Sequence, residues 1–237
     1  MANAAIFLCA GSGTRMRGQV SDKVLTQLGG RPVFWHSIKA FADSGLIDHA
    51  VIVYRDKEQR IALAKALGES DIEHWNIDWV PGGKERQDSV FNGLSAVSLL
   101  VDYVFIHDCA RPMIRPDNIQ ALYDAVVQDK AAVLAHRVAD TIKRAAGSQR
   151  KTTRRNLKDV PRSNLWAMET PQVFHRESIL EAYRRLRLDN ESVTDDTAAV
   201  SREGHKVTLV ENPHPNPKLT TPADLPYLEF LLQQKDS

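Results

Sequence analysis

Short apolar runs alternate with amphipathic stretches along most of the chain. The apolar runs are typical of strands and lie at 5–9, 49–54, 77–80, 103–107, 131–137 and 206–210. Stretches with helical periodicity lie between them, at 33–42, 57–67, 87–100, 116–129 and 176–188, and 222–232 is typical of a last helix. Strands that are apolar throughout are expected where helices cover both faces of a parallel sheet. The pattern therefore predicts an α/β fold with a Rossmann-like, open, mostly parallel sheet sandwiched by helices. We expect ligands to bind outside the carboxyl ends of its strands.

One segment departs from this alternation. Residues 143–162 carry eight basic residues and one acidic residue and contain little that a core could bury. Two interpretations stay open: a solvated loop or hairpin, and a projecting arm at about 140–163 that contacts a ligand or a second subunit. Nucleic-acid binding is disfavoured because the stretch has no aromatic side chain on which a base could stack. We expect residues 1–237 to form a single domain that carries this arm.

The composition narrows the class of protein without naming a ligand. Of the 237 residues 43% are hydrophobic and 26% charged, and the net charge of +1 gives no general attraction to nucleic acid or to an anionic membrane. The sequence has no apolar run long enough to span a membrane, and its first residues favour a strand over a signal peptide. Two cysteines, Cys9 and Cys109, argue against a disulfide framework and fit the cytoplasm.

The first predicted strand leads into a glycine-rich stretch, Ala10-Gly11-Ser12-Gly13-Thr14-Arg15-Met16. A dinucleotide-binding fingerprint would have a third glycine where Met16 stands, and a Walker loop would have lysine and a hydroxyl where Gln19-Val20 stands. Two glycines nevertheless let backbone N–H groups approach an anion closely. With Arg15 and Lys23 as cations, the stretch suits a triphosphate that loses pyrophosphate, because the cations stabilise charge that grows in the transition state.

Two further motifs follow later strands. Gly82-Gly83-Lys84-Glu85-Arg86-Gln87-Asp88-Ser89-Val90 combines a glycine turn with a well-capped helix start. Ile106-His107-Asp108-Cys109-Ala110-Arg111-Pro112 places Asp108 at the carboxyl end of a strand, where it is either a cap or turn residue or a ligand for one Mg²⁺ that bridges phosphate oxygens. We interpret His107 as a packed or hydrogen-bonded strand residue.

These three motifs and five later fragments resemble the sugar-phosphate nucleotidylyltransferases, and more narrowly the methylerythritol phosphate cytidylyltransferases of the non-mevalonate isoprenoid pathway. The eight pieces occur in the same order across residues 10–222 and so cover nearly the whole chain. The later fragments are Asp140-Thr141-Ile142-Lys143, Arg162 before Asn164-Leu165-Trp166, Glu169-Thr170-Pro171-Gln172-Val173-Phe174, Val193-Thr194-Asp195-Asp196 and Lys218-Leu219-Thr220-Thr221-Pro222.

The resemblance implies transfer of CMP from CTP to the polyol phosphate, with release of pyrophosphate, Mg²⁺ or another divalent cation as cofactor, and a homodimer. It implies no nucleic-acid or membrane partner. Its catalytic residues correspond to Arg15, Lys23 and Lys218, and its metal ligand to Asp108. Its nucleotide-binding residues correspond to Ala10, Gly11, Ser12, Gly13, Gly82, Gly83, Ser89 and Asp108. Its substrate-binding residues correspond to Arg111, Thr141, Arg162, Thr170, Thr194 and Lys218, with Arg162 reaching across from a partner subunit.

Two positions depart from the pattern of the resembled family. The family usually has Pro-Lys-Gln around the loop lysine, and this chain has Asp22 and Val24 on either side of Lys23. An acid there is able to pair with Lys23 and weaken its attraction for a triphosphate, although an exposed pair is worth only about 0–1 kcal/mol. The second departure is Lys84, where the family commonly has an acid. Neither departure removes a cation that the chemistry needs.

Three alternatives stay open from the sequence. The first is a cytidylyltransferase for another polyol phosphate, such as ribitol 5-phosphate, which would share the fold and the motifs. The second is a nucleotide-binding module without catalysis, which the joint presence of Arg15, Lys23, Asp108 and Lys218 disfavours. The third is a glycosyltransferase, for which a D-x-D metal motif is expected, whereas Cys-Ala follows Asp108.

Overall fold

The computed structural model describes residues 2–11, 22–68, 72, 74–145 and 156–235. Within these ranges the strands are β1 Ala2–Leu8, β2 Gln27–Leu28, β3 Arg31–Pro32, β4 His49–Tyr54, β5 Asn76–Pro81, β6 Val101–Asp108, β7 Ala131–Arg137, β8 Lys143–Ala145, β9 Leu157–Asp159, β10 Trp166–His175 and β11 Thr208–Glu211. The helices are α1 Val33–Ser44, α2 Lys57–Leu67, α3 Arg86–Ala96, α4 Pro116–Asp129, α5 Arg176–Leu188, α6 Asp196–Arg202 and α7 Asp224–Lys235, with a short 3-10 helix at Arg162–Asn164.

Seven of the strands form one sheet in the order β11-β7-β10-β6-β1-β4-β5. Strands β6, β1, β4 and β5 pair in parallel, and β10 is antiparallel to both of its neighbours. The register places Leu8 of β1 beside Asp108 of β6 and beside Val53 of β4. Four strands therefore end at one edge of the sheet, where the loops that follow them meet. The prediction of a mostly parallel α/β sheet is confirmed.

Alternate residues of the central strands supply two separate hydrophobic cores. Phe7 and Phe105 point to the face that is covered by α1, α2, α4 and α7, and the ring of Phe7 packs edge-to-face on Phe41 with centroids 5.0 Å apart. Ile6 and Ile106 point to the opposite face, under α3, α5 and α6. Burial on both faces explains why these strands are apolar throughout.

Strand β10 was not among the predicted strands, although it lies in the middle of the sheet. Its sequence includes Glu169, Thr170, Pro171 and Gln172, which break the apolar pattern, and its pairing with β7 shifts register between Met168 and Gln172. The polar side chains of Glu169, Thr170 and Gln172 are all buried and hydrogen-bonded within the protein. Tertiary contacts thus override the propensity of the segment.

Several predicted boundaries were wrong: β1 begins at Ala2 rather than at 5, and α7 covers 224–235 rather than 222–232. The helix predicted over 87–100 ends at Ala96, where Val97 turns to extended backbone and Leu99 and Leu100 are left more than 80% exposed. The last strand begins at Thr208 rather than at 206. Apolar residues that continue a helical period past its end cannot be told from helix by periodicity alone.

The basic segment contains a hairpin that is separate from the main sheet. Strands β8 and β9 pair antiparallel, with Lys143 opposite Asp159, and all of their residues are exposed. The middle of the segment, 146–155, lies outside the described residues. The described part is an exposed hairpin, as one of the two interpretations predicted. Its contact with a ligand or a second subunit stays a prediction.

Along the described ranges, none of the helices combines the length and the apolar character that crossing a membrane requires.

The contact between α3 and the sheet should tolerate no larger side chain at Gly93. A Cβ there would lie 2.7 Å from Cγ2 of Ile6, a stiff β-branched side chain in the centre of β1. We expect Gly93→Val to lower the free energy of unfolding by about 2–3 kcal/mol, measured by urea denaturation. The matched control is Gly68→Val at the end of α2, where, among the described residues, a Cβ meets only Lys65 O at 3.6 Å and the expected change is about 0.5 kcal/mol or less. Equal losses in the two variants would contradict this account of the packing.

Candidate active site

A cleft of about 470 Å³ opens at the carboxyl ends of β1, β4, β5 and β6. Each of these strands delivers residues to it through the loop that follows, because parallel strands end at the same edge. The described residues that line it are Leu8, Ala10, Gly11, Lys23, Arg55, Gly83, Lys84, Glu85, Arg86, Ser89, Asp108, Ala110 and Lys218. Seven of the residues assigned from the sequence are thus brought together in one wall: Ala10, Gly11, Lys23, Gly83, Ser89, Asp108 and Lys218.

The glycine turn after β5 packs tightly against the start of the glycine-rich stretch. The N–H of Gly82 donates to Tyr54 O at 2.7 Å, and a Cβ at Gly82 would lie 2.5 Å from the Cβ of Ala10. A Cβ at Gly83 would lie 2.1 Å from the Cβ of Asp88. Both positions therefore require glycine for close backbone approach.

Ser89 holds the shape of this turn. Its hydroxyl accepts from the N–H of Gly83 at 3.0 Å and donates to Glu85 O at 3.2 Å. Helix α3 begins directly after the turn with a capping box formed by Glu85 and Asp88. The cleft is thus lined by a glycine turn and a capped helix start whose shape is set by hydrogen bonds within the protein.

Asp108 lies at the end of β6 with a cation on each carboxylate oxygen. Lys218 Nζ contacts Oδ2, and Arg86 Nε donates to Oδ1 at 3.2 Å. The main-chain N–H of Asp108 donates to the hydroxyl of Thr170 at 3.0 Å. Burial by itself would raise the pKa of Asp108, but Arg86 and Lys218 outweigh it and hold that pKa well below its usual range. The carboxylate is therefore ionised and able to bind a cation.

Arg86 joins this carboxylate to a second, completely buried one. Its two terminal nitrogens donate to Asp196 at 2.9 and 2.8 Å in a bidentate pair, and Tyr183 donates to the same carboxylate at 2.5 Å. Burial favours loss of the proton from Arg86, yet Asp196 and Asp108 raise its pKa well above the ordinary value. The chain Asp108, Arg86 and Asp196 thus fixes the start of α3 against α6.

Lys218 is positioned by the residue that follows it. Leu219 is fully buried, and its N–H donates to Ala110 O at 2.8 Å, just beyond the end of β6. The backbone on both sides of the Asp108–Lys218 pair is therefore held by the same short stretch of structure. Fixed backbone lets Lys218 present its ammonium to the cleft in one geometry.

His107 is a structural residue, as the sequence predicted. It is fully buried, with Nδ1 3.2 Å from the hydroxyl of Thr170 and Nε2 3.2 Å from that of Ser37. Burial lowers the pKa of His107 to about 3, so the ring is neutral. Through Thr170, the same hydrogen bonds hold the backbone of Asp108.

Arg111 faces a neighbouring cavity of about 390 Å³ that is lined by the 212–217 segment. Its guanidinium donates to Asn216 O at 2.7 Å, and burial lowers its pKa from the ordinary value. Among the described residues, Thr141, Arg162 and Thr194 lie outside the cleft wall and are exposed. Arg162 contacts Ala139 O at the base of the hairpin. Ser12, Gly13 and Arg15 fall outside the described residues.

Asp22, which departs from the pattern of the family, is buried and has partners other than Lys23. Its carboxylate accepts from Gln59 at 2.6 Å and pairs with Arg55 at 3.0 Å, so its charge is balanced by a residue at the end of β4. Arg55 was not predicted, although it follows a predicted strand and lies where such strands place their chemistry. Arg86 and Asp196 were quoted within motifs but had no role assigned.

The donor set at Asp108 fits Mg²⁺ only together with a phosphate ligand. Across the described ranges, no group of three or more His, Cys, Asp or Glu side chains is close enough to hold a metal. Magnesium in phosphate-transfer sites is commonly held by one or two carboxylates, the substrate phosphates and water. One ionised carboxylate in a cleft sized for a nucleotide meets that requirement.

Loss of Arg86 should destabilise the protein because it leaves Asp196 buried and uncompensated. We expect Arg86→Met to lower the free energy of unfolding by about 3 kcal/mol, measured in urea without nucleotide. The matched control is Arg185→Met on α5, whose exposed pairs with Glu181 and Glu203 should contribute about 1 kcal/mol or less. An Arg86→Met protein as stable as the control would show that the pair with Asp196 does not hold the site together.

Comparison with known proteins agrees with this geometry. Residues 3–234 match the family model described as IspD: 2-C-methyl-D-erythritol 4-phosphate cytidylyltransferase. A protein of that description from Caldanaerobacter subterraneus subsp. tengcongensis is 37% identical over 97% of this chain and 98% of its own. Another from Lachnospira eligens is 40% identical over 94% of this chain and 96% of its own.

Solved structures give the same result. The 4-diphosphocytidyl-2C-methyl-D-erythritol synthase of Anaerococcus prevotii superposes with a TM-score of 0.83 at 25% identity and covers 98% of each chain. The 2-C-methyl-D-erythritol 4-phosphate cytidylyltransferase of Thermus thermophilus superposes with a TM-score of 0.76 at 26% identity, over 98% of this chain and 100% of its own. Because the family match extends over nearly the whole chain, with the sheet and the described walls of the cleft inside it, this chain belongs to the 2-C-methyl-D-erythritol 4-phosphate cytidylyltransferase family.

Proposed function

We propose that this protein is a nucleotidyltransferase that transfers CMP from CTP to 2-C-methyl-D-erythritol 4-phosphate and releases pyrophosphate. The observation that carries the proposal is the convergence of Asp108, Lys23 and Lys218 with the glycine turn in one cleft. The described wall contains five cationic side chains, Lys23, Arg55, Lys84, Arg86 and Lys218, against two acidic ones, Glu85 and Asp108. Arg55 and Arg86 are balanced by Asp22 and Asp196 behind the wall, so the attraction for a triphosphate and a phosphate monoester rests chiefly on Lys23, Lys84 and Lys218.

The two ends of the cleft would hold the two parts of CTP. The N–H groups of Gly82 and Gly83 bond within the protein, so the carbonyl groups of this turn would accept hydrogen bonds from the edge of the pyrimidine, with Ser89 near the ribose. The triphosphate would lie along Gly11 toward Lys23, since a Cβ at Gly11 would stand 3.5 Å from Lys23 Nζ. Ser12, Gly13 and Arg15 would complete the phosphate-binding loop.

The substrate phosphate would lie on the Lys218 side of Asp108. Attack by one of its oxygens on the α-phosphorus forms the new P–O bond as the bond to pyrophosphate breaks. A phosphate monoester is already ionised at neutral pH, so no general base is required. Lys23 and Arg15 would stabilise the negative charge that moves onto the leaving pyrophosphate. Bound Mg²⁺, held by Asp108 and phosphate oxygens, would neutralise part of the charge on the reacting phosphates.

The remaining contacts to the polyol phosphate would come from Arg111 and Thr194, together with Thr141 and Arg162 of a second copy. Thr170, which the resemblance also assigned to the substrate, is buried, and its hydroxyl contacts Asp108 and His107 instead. Arg162 and Thr141 stand at the base of the exposed hairpin formed by β8 and β9, away from the cleft of their own chain. A homodimer in which each hairpin reaches the neighbouring cleft accounts for this placement. The two free, buried cysteines fit a cytoplasmic protein.

The substrate is tested by pyrophosphate release from CTP and Mg²⁺ with methylerythritol 4-phosphate and ribitol 5-phosphate offered separately. We expect turnover with methylerythritol 4-phosphate alone. Turnover with ribitol 5-phosphate alone would keep the mechanism and overturn the substrate. No turnover with either would contradict the proposed function.

Lys23 is proposed to act on the transition state, and its removal should therefore change kcat more than KM. We expect Lys23→Ala to lower kcat about 100-fold with little change in KM for CTP, in steady-state pyrophosphate release. Lys65→Ala on the exposed surface of α2 serves as the control and should leave both constants unchanged. If KM alone rises in Lys23→Ala, Lys23 is a binding residue and the assigned role is wrong.

A shared site makes a specific prediction for mixed dimers. Lys23→Ala and Arg162→Ala should each be nearly inactive alone, yet a heterodimer of the two contains one site with both residues intact. Equal amounts of the two, mixed and allowed to exchange, should regain about one quarter of wild-type turnover. The absence of any regain, in a sample shown by sedimentation to be dimeric, would place Arg162 in its own subunit's site.

A further inference from the structure

The backbone at Lys23 is fixed by its two neighbours. Asp22 and Val24 form a turn in which the carboxylate Oδ1 of Asp22 accepts from the N–H of Val24 at 3.1 Å. A side chain that bonds the backbone two residues ahead closes an Asx turn around the residue between them. Lys23 is that residue, and its side chain reaches the cleft wall.

The same segment is tied to the start of α1. Val24 O accepts from the N–H of Phe34 at 2.8 Å, and Thr26 O accepts from the N–H of Val33 at 2.9 Å. These donors belong to the first turn of the helix, which has no intrahelical partner for them. Val24 and Thr26 are therefore anchored to α1. The backbone at Lys23 is held from its other end by the carboxylate of Asp22.

That carboxylate is buried, and two side chains from the β4–α2 connection compensate it. Gln59 Nε2 donates to Oδ2 of Asp22 at 2.6 Å, and Arg55 pairs with the same oxygen at 3.0 Å. Asp22 is only 7% exposed and Gln59 only 2%. A buried carboxylate held in this way keeps one orientation, because any other would leave it unpaired.

Gln59 connects this turn to the strand end that precedes the phosphate-binding loop. Its Nε2 also donates to Cys9 O at 3.0 Å, and its Oε1 accepts from the N–H of Arg55 at 2.6 Å. One buried amide thus touches the end of β1, the end of β4 and the acid beside Lys23. Gln59 does not line the cleft, so it has no direct access to a ligand there.

We propose that Asp22, Gln59 and Arg55 are positioning residues that hold the ammonium of Lys23 at the triphosphate. The proposal rests on the proposed function, because it gives these residues their effect through a transition-state role of Lys23. Arg55 and Gln59 compensate the charge of Asp22, so its carboxylate is free to fix the backbone conformation of Lys23 rather than to pair with the ammonium. A misplacement of a reacting or stabilising group by about 1 Å can cost up to about 100-fold in rate.

A double-mutant cycle between Gln59 and Lys23 tests the proposal. Methionine replaces glutamine with similar size and no hydrogen bonds, so Gln59→Met should lower kcat about tenfold while leaving KM for CTP within about twofold. In protein that already carries Lys23→Ala, the same substitution should change kcat by no more than about twofold, because nothing remains to be positioned. The control is Gln120→Met on α4, whose amide donates to the exposed Asp124 and which should not alter turnover.

Hydrogen exchange at the Val24 amide reports on the turn without a measurement of activity. In wild-type protein the Val24 amide should be protected from hydrogen exchange by the Asp22 carboxylate, and Gln59→Met should speed its exchange with no change in the amides of β6. If Gln59→Met folds poorly, Asp22→Asn provides the milder variant. It keeps an oxygen acceptor for Val24, loses the charge that pairs with Arg55, and should show a smaller loss of kcat with the same dependence on Lys23.

Each result separates this proposal from the proposed function. An equal loss of kcat with and without Lys23, or no loss in either, would overturn the positioning role while CMP transfer stands. Full activity of Lys23→Ala alone would overturn it too, since there would be no catalytic lysine to position. Only failure of the wild-type protein to release pyrophosphate would count against the transfer reaction.

Discussion

The architecture of the site depends on a buried negative charge at the end of a central strand. Asp108 terminates β6, where burial alone would make its ionised form costly, and it is kept ionised by Arg86 and Lys218. Arg86 in turn is held by Asp196 on α6, and Lys218 by the buried Leu219 beside it. Segments far apart in sequence are therefore fixed relative to one another by the need to compensate one carboxylate. The cleft takes its shape from that requirement.

The same arrangement prepares the site for phosphate chemistry. Cations that already stand at the cleft need little reorganisation when a triphosphate arrives, which is how preorganised charge lowers a barrier. Lys218 contacts Asp108 in the structure and is proposed to meet the substrate phosphate, so the ligand, the carboxylate that we propose as the metal ligand and the lysine would share one set of charges. The ion pairs that hold the cleft together would then also serve the proposed reaction, as is common at active sites with strongly shifted pKa values.

The sequence predicted the parts of this structure that follow local rules. Strands buried on both faces are apolar throughout, so β1, β4, β6 and β7 could be placed, and with them the strand-end position of Asp108. Strand β10 could not be placed, because its polar residues Glu169 and Gln172 are satisfied only by distant partners such as Asn212 and Asp195. The pair of Arg86 with Asp196 spans 110 residues and has no local signal. The sequence suggested a pair between Asp22 and its neighbour Lys23. In the structure the charge of Asp22 is balanced by Arg55, which is near it only in the folded chain.

The claim that Asp108 binds the metal together with the nucleotide can be tested most directly by calorimetric titration of CTP with and without Mg²⁺. We expect Mg²⁺ to tighten CTP binding to the wild-type protein by about tenfold or more. The substitution Asp108→Asn keeps the shape of the side chain and removes its charge, and it should abolish this gain. If Asp108→Asn binds CTP with the same dependence on Mg²⁺ as the wild type, the metal is held elsewhere, and the carboxylate at the centre of this site has a structural role alone.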